Sequence, residues 1–137
     1  MGIVHALYML AYDQWLIGSL VCPFFGEGCD IVGRSEHAKH FGVPNAAAGV
    51  LGYAATAAIA LWAGDKPPER RPVQSLSLAA IVAAAFGTSI YLTWEQGAKV
   101  KAWCFWCLLS AGINLAILLL AFWDGFRSLR ILLVQRA

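Results

Sequence analysis

Cys104-Phe105-Trp106-Cys107 and Cys22-x6-Cys29 hold all four cysteines of the chain, and both spacings allow redox chemistry. In the C-x-x-C the cysteines stand at i and i+3. On a helix these positions share a face, so the two sulfurs can meet. The motif opens an apolar stretch that reads as a helix, and a helix N-terminus carries unpaired N–H groups whose positive partial charge favours a thiolate. The thiolate is the attacking species in thiol–disulfide exchange. C-x-x-C also serves zinc sites, so alone it is only moderately specific. The second pair encloses Pro23, Gly26 and Gly28 and reads as part of a flexible loop. Such a loop can carry a disulfide to an external thiol and then return to the helix pair, because exchange needs direct sulfur contact. Two other readings stay open. All four cysteines could ligate a structural zinc. The x6 spacing, the neighbours Trp103, Phe105 and Trp106, and the lack of an evident polar shell count against it, and no metal is expected. Cys22/Cys29 could instead be a structural disulfide in a non-catalytic membrane scaffold.

The elements that must position these cysteines are membrane helices. Of 137 residues 60% are hydrophobic and 13% charged, and the mean hydropathy is +0.65. A soluble domain typically has about a quarter of its residues charged, so lipid covers most of this one. The net charge of +2 says little about partners. No basic cluster with interleaved aromatics points to nucleic acid, and the N-terminus lacks a signal-peptide pattern. Four apolar stretches predict an all-α integral membrane domain, a four-transmembrane-helix bundle with helices at about 3–21, 45–63, 73–96 and 102–125 and an outer cysteine loop at 22–44. The last three meet the roughly 20 residues needed to cross about 30 Å of hydrocarbon. The second is rich in small residues, including Gly49 and Gly52, which let helices pack closely.

The first stretch is weaker, because it contains His5 and Asp13. Asp13 lies nine positions before Cys22, as Glu95 does before Cys104, and the flanking residues are alike. Both acidic residues are read as outer helix ends at the membrane interface. The first helix is then short, or residues upstream of Met1 complete it. Gly64–Pro72 is a polar turn whose prolines block helix propagation. In the outer loop, Ser35–Phe41 predicts a short surface helix. Six basic residues, Lys66, Arg70, Arg71, Arg127, Arg130 and Arg136, fall on one side, against Arg34, Lys39, Lys99 and Lys101 on the other. The bias places both termini in the cytoplasm and both cysteine pairs on the extracytoplasmic face of the plasma membrane, where disulfides persist.

From Tyr12 to about Ala121 the chain resembles the vitamin K epoxide reductase family in its bacterial or archaeal single-domain form. The resemblance rests on Cys22/Cys29 with Asp30 and Ser35 after them, and on Phe41-Gly42-Val43-Pro44 running into Asn45-Ala46-Ala47-Ala48-Gly49 and Tyr53. Trp103-Cys104-Phe105-Trp106-Cys107 and Asn114 complete it. It implies a four-helix membrane bundle in which the outer loop caps a quinone pocket. It implies a thiol:quinone oxidoreductase that oxidises a separate thioredoxin-like partner, supporting disulfide formation in exported proteins. Electrons would pass through Cys22–Cys29 and then Cys104–Cys107 to a lipid quinone, menaquinone, ubiquinone or a relative. Cys22 would meet the partner, Cys29 would exchange with Cys104, and Cys107 would face the quinone. Asn45 matches a position that hydrogen-bonds a quinone carbonyl, and Asn is also a favoured helix N-cap.

Where some members carry a tyrosine that reaches the quinone, this chain has Ala111, which implies a wider or more apolar pocket there. Quinone reduction is therefore favoured over the alternative, reduction of quinone epoxides. Phe41 is a candidate quinone lid, since aromatic rings stack on flat ligands. His37 and His40 are candidate proton donors, but are read here as a solvated helix face.

Overall fold

The computed structural model describes residues 1–67 and 70–136. Pro68 and Glu69, in the middle of the expected polar turn, lie outside the described residues. Five α-helices follow one another: α1 Gly2–Asp13, α2 Gly28–Arg34, α3 Asn45–Ala63, α4 Pro72–Glu95 and α5 Phe105–Arg136. Three are long and apolar enough to cross a membrane, over Asn45–Ala63, Pro72–Val100 and Phe105–Val134. Their outer faces carry large apolar side chains such as Leu61, Trp62, Leu120 and Phe122, all mostly exposed. In water such faces would be an aggregation liability, whereas in lipid they are the solvated surface. The chain is a helical membrane protein.

α3 and α4 keep the expected bounds to within a residue, because each has an unambiguous start. Pro72 stands in the first turn of α4, where its missing N–H costs nothing. Gly64, at φ +60, closes α3. The expected 3–21 helix ends at Asp13 instead. Gln14 caps it, and Trp15 takes a left-handed conformation at φ +61. Twelve residues rise only about 18 Å, and the region 14–27 is the loop that leads into α2. The expected 102–125 helix begins later, at Phe105, and continues to Arg136. Its start is delayed because α4 runs on as a π-helical turn, Gln96–Val100, which Lys101 ends in a left-handed conformation.

The helices pack in the order α1–α3–α4–α5, with α4 most extensively against α5 and a smaller α1–α5 contact. Gly49 of α3 meets Ala6 of α1, where a Cβ would touch at 3.7 Å, and Gly2 leaves room for the Tyr53 ring. Gly52 faces open space and has no such packing role.

The loop over this end is built and pinned, not loose. Ser35–Phe41 does not form the expected surface helix. A single 3-10 turn, Glu36–Ala38, leads into a two-residue antiparallel hairpin, β1 Lys39–His40 and β2 Val43–Pro44. Phe41 and Gly42, both at positive φ, make its turn, the geometry a two-residue hairpin loop favours. The Leu20 N–H donates to Asp30 at 3.0 Å, and the Arg34 guanidinium to the Gly18 carbonyl at 2.9 Å. Beside Cys22, the Val21 N–H donates to the Tyr8 hydroxyl at 3.0 Å and the Val21 carbonyl accepts the Trp106 indole N–H at 2.7 Å.

Candidate active site

Cys22 and Cys29 are joined as a disulfide, while Cys104 and Cys107 are free thiols. Cys29 opens α2 and is fully buried, whereas Cys22 is partly exposed. Cys104 is also fully buried, in one packed cluster with Cys29, Tyr12, Leu20 and Val32. Cys107 lies partly buried against that cluster.

Cys104 stands just ahead of α5. Its buried N–H donates to the Gln96 side-chain oxygen at 2.8 Å, so the π-helical turn of α4 holds it in place. Its carbonyl accepts the Leu108 N–H, the first bond of α5. The Cys107 thiol, together with the Cys107 and Trp106 N–H groups, stabilises the Cys104 thiolate and lowers its pKa despite burial. The backbone part of this is the helix N-terminus effect that the C-x-x-C position implies. In a reduced Cys22→Ser/Cys29→Ser variant, ultraviolet thiolate absorbance is expected with a midpoint below the ordinary thiol value of about 8.5. The folded-state value is the lower one. The thiolate therefore stabilises the reduced fold above the unfolded thiol's pKa, and this contribution is lost as pH falls through the folded value. A midpoint at or above the ordinary value would contradict this geometry.

Beneath the loop lies a partly open cavity of about 120 Å³. Its apolar wall includes Met9, Ala46, Leu92, Val100 and Trp106, and Cys107 and Ser110 face it from successive turns of α5. Asn45 reaches it from the start of α3. The residue does not cap its helix: Pro44 holds that position, and no side-chain cap bond forms. Its amide instead donates to the His37 carbonyl and meets His40 Nδ1, each at 2.8 Å. One amide N–H and one oxygen lone pair remain for a ligand. A flat apolar ring bearing carbonyl oxygens fits this lining, with Asn45 as a donor and Cys107 at the wall.

Two expected pocket residues lie elsewhere. Phe41, at the hairpin tip, is wholly exposed and does not line the cavity. The positive φ of its tight turn directs it outward. Ala111 does not line the cavity either; Ser110 faces it one residue earlier, with its hydroxyl 2.8 Å from that of Tyr53.

The site also contains residues that the sequence reading set aside. Glu95 is not a solvent-facing helix end: its side chain is 3% exposed and lines the cavity. Its Oε1 accepts from the Tyr91 hydroxyl at 2.9 Å and Lys99 Nζ at 2.8 Å. His37 and His40, expected on a solvated face, both turn inward to it, His37 Nδ1 lying 3.5 Å from Oε1 and His40 Nε2 3.1 Å from Oε2. The available signal was the His-x-x-His spacing placed in the loop over the outer end of α4. Asp13, by contrast, does end α1, where Lys39 pairs with it at 3.8 Å.

The fold and the site together define a helical membrane protein with a disulfide and a dithiol packed beside one cavity. Residues 1–122 match the vitamin K epoxide reductase family, and the chain belongs to that family. Its members are membrane oxidoreductases that use quinones and typically work with thioredoxin-like partners. No solved structure matches the chain.

Proposed function

We propose that the protein is a thiol:quinone oxidoreductase that oxidises a separate thioredoxin-like partner at the expense of a lipid quinone. The observation that carries this reading is the packing of Cys29 and Cys104, both fully buried, in one cluster, with Cys107 beside it on the cavity wall. Cys22, the more exposed member of its pair, receives the partner's thiolate. The partner becomes a disulfide and Cys22/Cys29 a dithiol. Cys29 then exchanges with Cys104, which regenerates the Cys22–Cys29 disulfide and leaves Cys104/Cys107 reduced. Two electrons then pass from this dithiol to the quinone, which takes up two protons as it becomes the quinol and whose carbonyl Asn45 holds. The arrangement with Cys22–Cys29 oxidised and Cys104/Cys107 free corresponds to the stage before quinone reduction.

In this reading α1 is a short fourth element of the membrane bundle, and the loop and hairpin cap the pocket. The cysteine face is extracytoplasmic and both termini are cytoplasmic, consistent with the six-to-four bias of basic residues.

The test is anaerobic quinone reduction with a reduced thioredoxin-like protein as donor. Quinol should form in proportion to the partner disulfide. Cys22→Ser should accumulate a Cys29–Cys104 cross-link, seen as protection of both from alkylation until a reductant is added. Stoichiometric zinc with no quinol would favour a scaffold, and turnover with a quinone epoxide would favour the family's other activity.

A further inference from the structure

The proposed reaction moves protons as well as electrons, and the cavity contains a buried acid that the cysteine relay does not use. The hydrogen bonds around Glu95 restrict where a proton can be. Asn45 Nδ2 is committed as donor to the His37 carbonyl, so Asn45 Oδ1 is the atom facing His40. His40 Nδ1 must therefore donate to it. The other ring nitrogen then faces Glu95 Oε2 at 3.1 Å. A lone pair on Nε2 would oppose a carboxylate oxygen, so one proton resides on this pair of atoms. Oε2 is sealed from solvent and has no well-directed hydrogen-bond partner, whereas Oε1 is held by Tyr91 and Lys99. The proton is thus shared between His40 Nε2 and Glu95 Oε2, at the cavity, while Lys99 and Tyr91 hold the other oxygen.

A route to the outside is also present. His37 bridges two carboxylates, its Nδ1 lying 3.5 Å from Glu95 and its Nε2 3.7 Å from Glu36. Side-chain exposure falls from 90% at Glu36 to 27% at His37 and 3% at Glu95. An imidazole between an exposed and a buried carboxylate can take a proton at one nitrogen and release it at the other. Both gaps are within reach of one water or a small ring rotation.

We propose that Glu95 is the proton-exchanging acid of the cavity, delivering a proton to the quinone oxygen and being recharged from the outer face through Glu36 and His37. This rests on the thiol:quinone reading above. The balance closes as follows. Cys104 enters as the thiolate, its proton already released outside, and Cys107 as the thiol. Formation of their S–S bond releases two electrons and the Cys107 proton. The quinone takes both electrons, that proton and the Glu95 proton. Glu95 then regains one proton along the Glu36–His37 route. The groups facing Glu95 are Tyr91 and Lys99 from its own helix and turn, and His37 and His40 from the loop. α1 presents His5 and Asp13 to the same cavity, and α5 presents Cys107.

The test uses full-length protein in detergent, with Glu95→Gln and His37→Phe as variants. In single anaerobic turnovers of the pre-reduced dithiol with a soluble quinone, Glu95→Gln should slow quinol formation by roughly 10²-fold, the usual contribution of a positioned acid. Exchange between Cys29 and Cys104 should stay at the wild-type rate. His37→Phe should spare the first turnover and slow later ones. In quinone-free protein, an infrared carboxyl band present in wild type should vanish in Glu95→Gln, and its exchange in D2O should slow at least tenfold in His37→Phe. Wild-type rates and pH profiles in both variants, or no band lost in Glu95→Gln, would overturn the proposal. Wild type that forms no quinol would instead overturn the quinone reading, and the infrared arm would still decide whether the route carries protons.

Discussion

Cys104→Ser is expected to abolish electron transfer from a protein dithiol to quinone while leaving the fold in place. Cys104 is the only free cysteine packed within the cluster that holds Cys29, so without it no thiol on α5 receives electrons from the loop. Well-oriented intramolecular reactions have effective molarities of about 10⁵ M or more, so forcing the step to become bimolecular should cost at least about 10³-fold. A serine hydroxyl fits the space, and the Cys104 N–H bond to Gln96 does not involve the side chain. Cys107→Ser should abolish quinol formation equally but differ in what accumulates. Cys104 can still join Cys29, and when Cys22→Ser also removes the thiol that would reverse it, that cross-link should form on mild oxidation and persist, which Cys104→Ser cannot show. Non-reducing electrophoresis after alkylation distinguishes the two variants. Quinol formation by Cys104→Ser above about a tenth of the wild-type rate would remove Cys104 from the relay, since a lost covalent step leaves far less.

Gly28→Ala should have the second largest effect, without touching any sulfur. A Cβ on Gly28 would run into the carbonyl oxygen of Trp103. The obstacle is backbone, so no rotamer change relieves it. The clash lies between the residue before Cys29 and the residue before Cys104, and relief must move one cysteine away from the other. Overpacking of this kind costs about 1–3 kcal/mol, read as a lowered thermal midpoint. A displacement of about 1 Å at a reacting pair can cost 10²-fold in rate, so Cys29–Cys104 exchange should fall by about that factor. Gly18→Ala is the control, since a Cβ there meets nothing within 4 Å. Equal exchange rates in the two variants would show that the α2–Trp103 contact does not set the sulfur geometry.

The parts of this protein legible in its sequence are those governed by local rules. A run of some 20 apolar residues has one low-energy fate in lipid, a helix. Proline and glycine punctuate such runs, so α3 and α4 were readable almost to the residue. C-x-x-C at a helix start is also local, and the Cys104 thiolate follows from the Cys107 thiol three residues on and then from the backbone N–H groups it adjoins. The end of α1 was only half readable. Asp13 marked it by analogy with Glu95, but the apolar residues up to Val21 resemble a membrane span and instead pack over the cysteine cluster, with Leu20 inside it.

What remained illegible depends on partners distant in the chain. Glu95 reads as an ordinary polar end to a membrane helix. Only folding brings His37 and His40, more than fifty positions earlier, onto its two oxygens. His37 and His40 read as surface residues because a helix was expected where a 3-10 turn and hairpin turn them inward. The same hairpin sends Phe41 out and away from the cavity. The cysteine types and spacings, the lipid surroundings and the long helices were thus determined by sequence alone, since each needs only its neighbours and the solvent. Which cysteine is buried, which polar groups face the cavity, and where a proton can rest were decided by tertiary structure, because burial and charge pairing are properties of residues that meet only when the chain is folded.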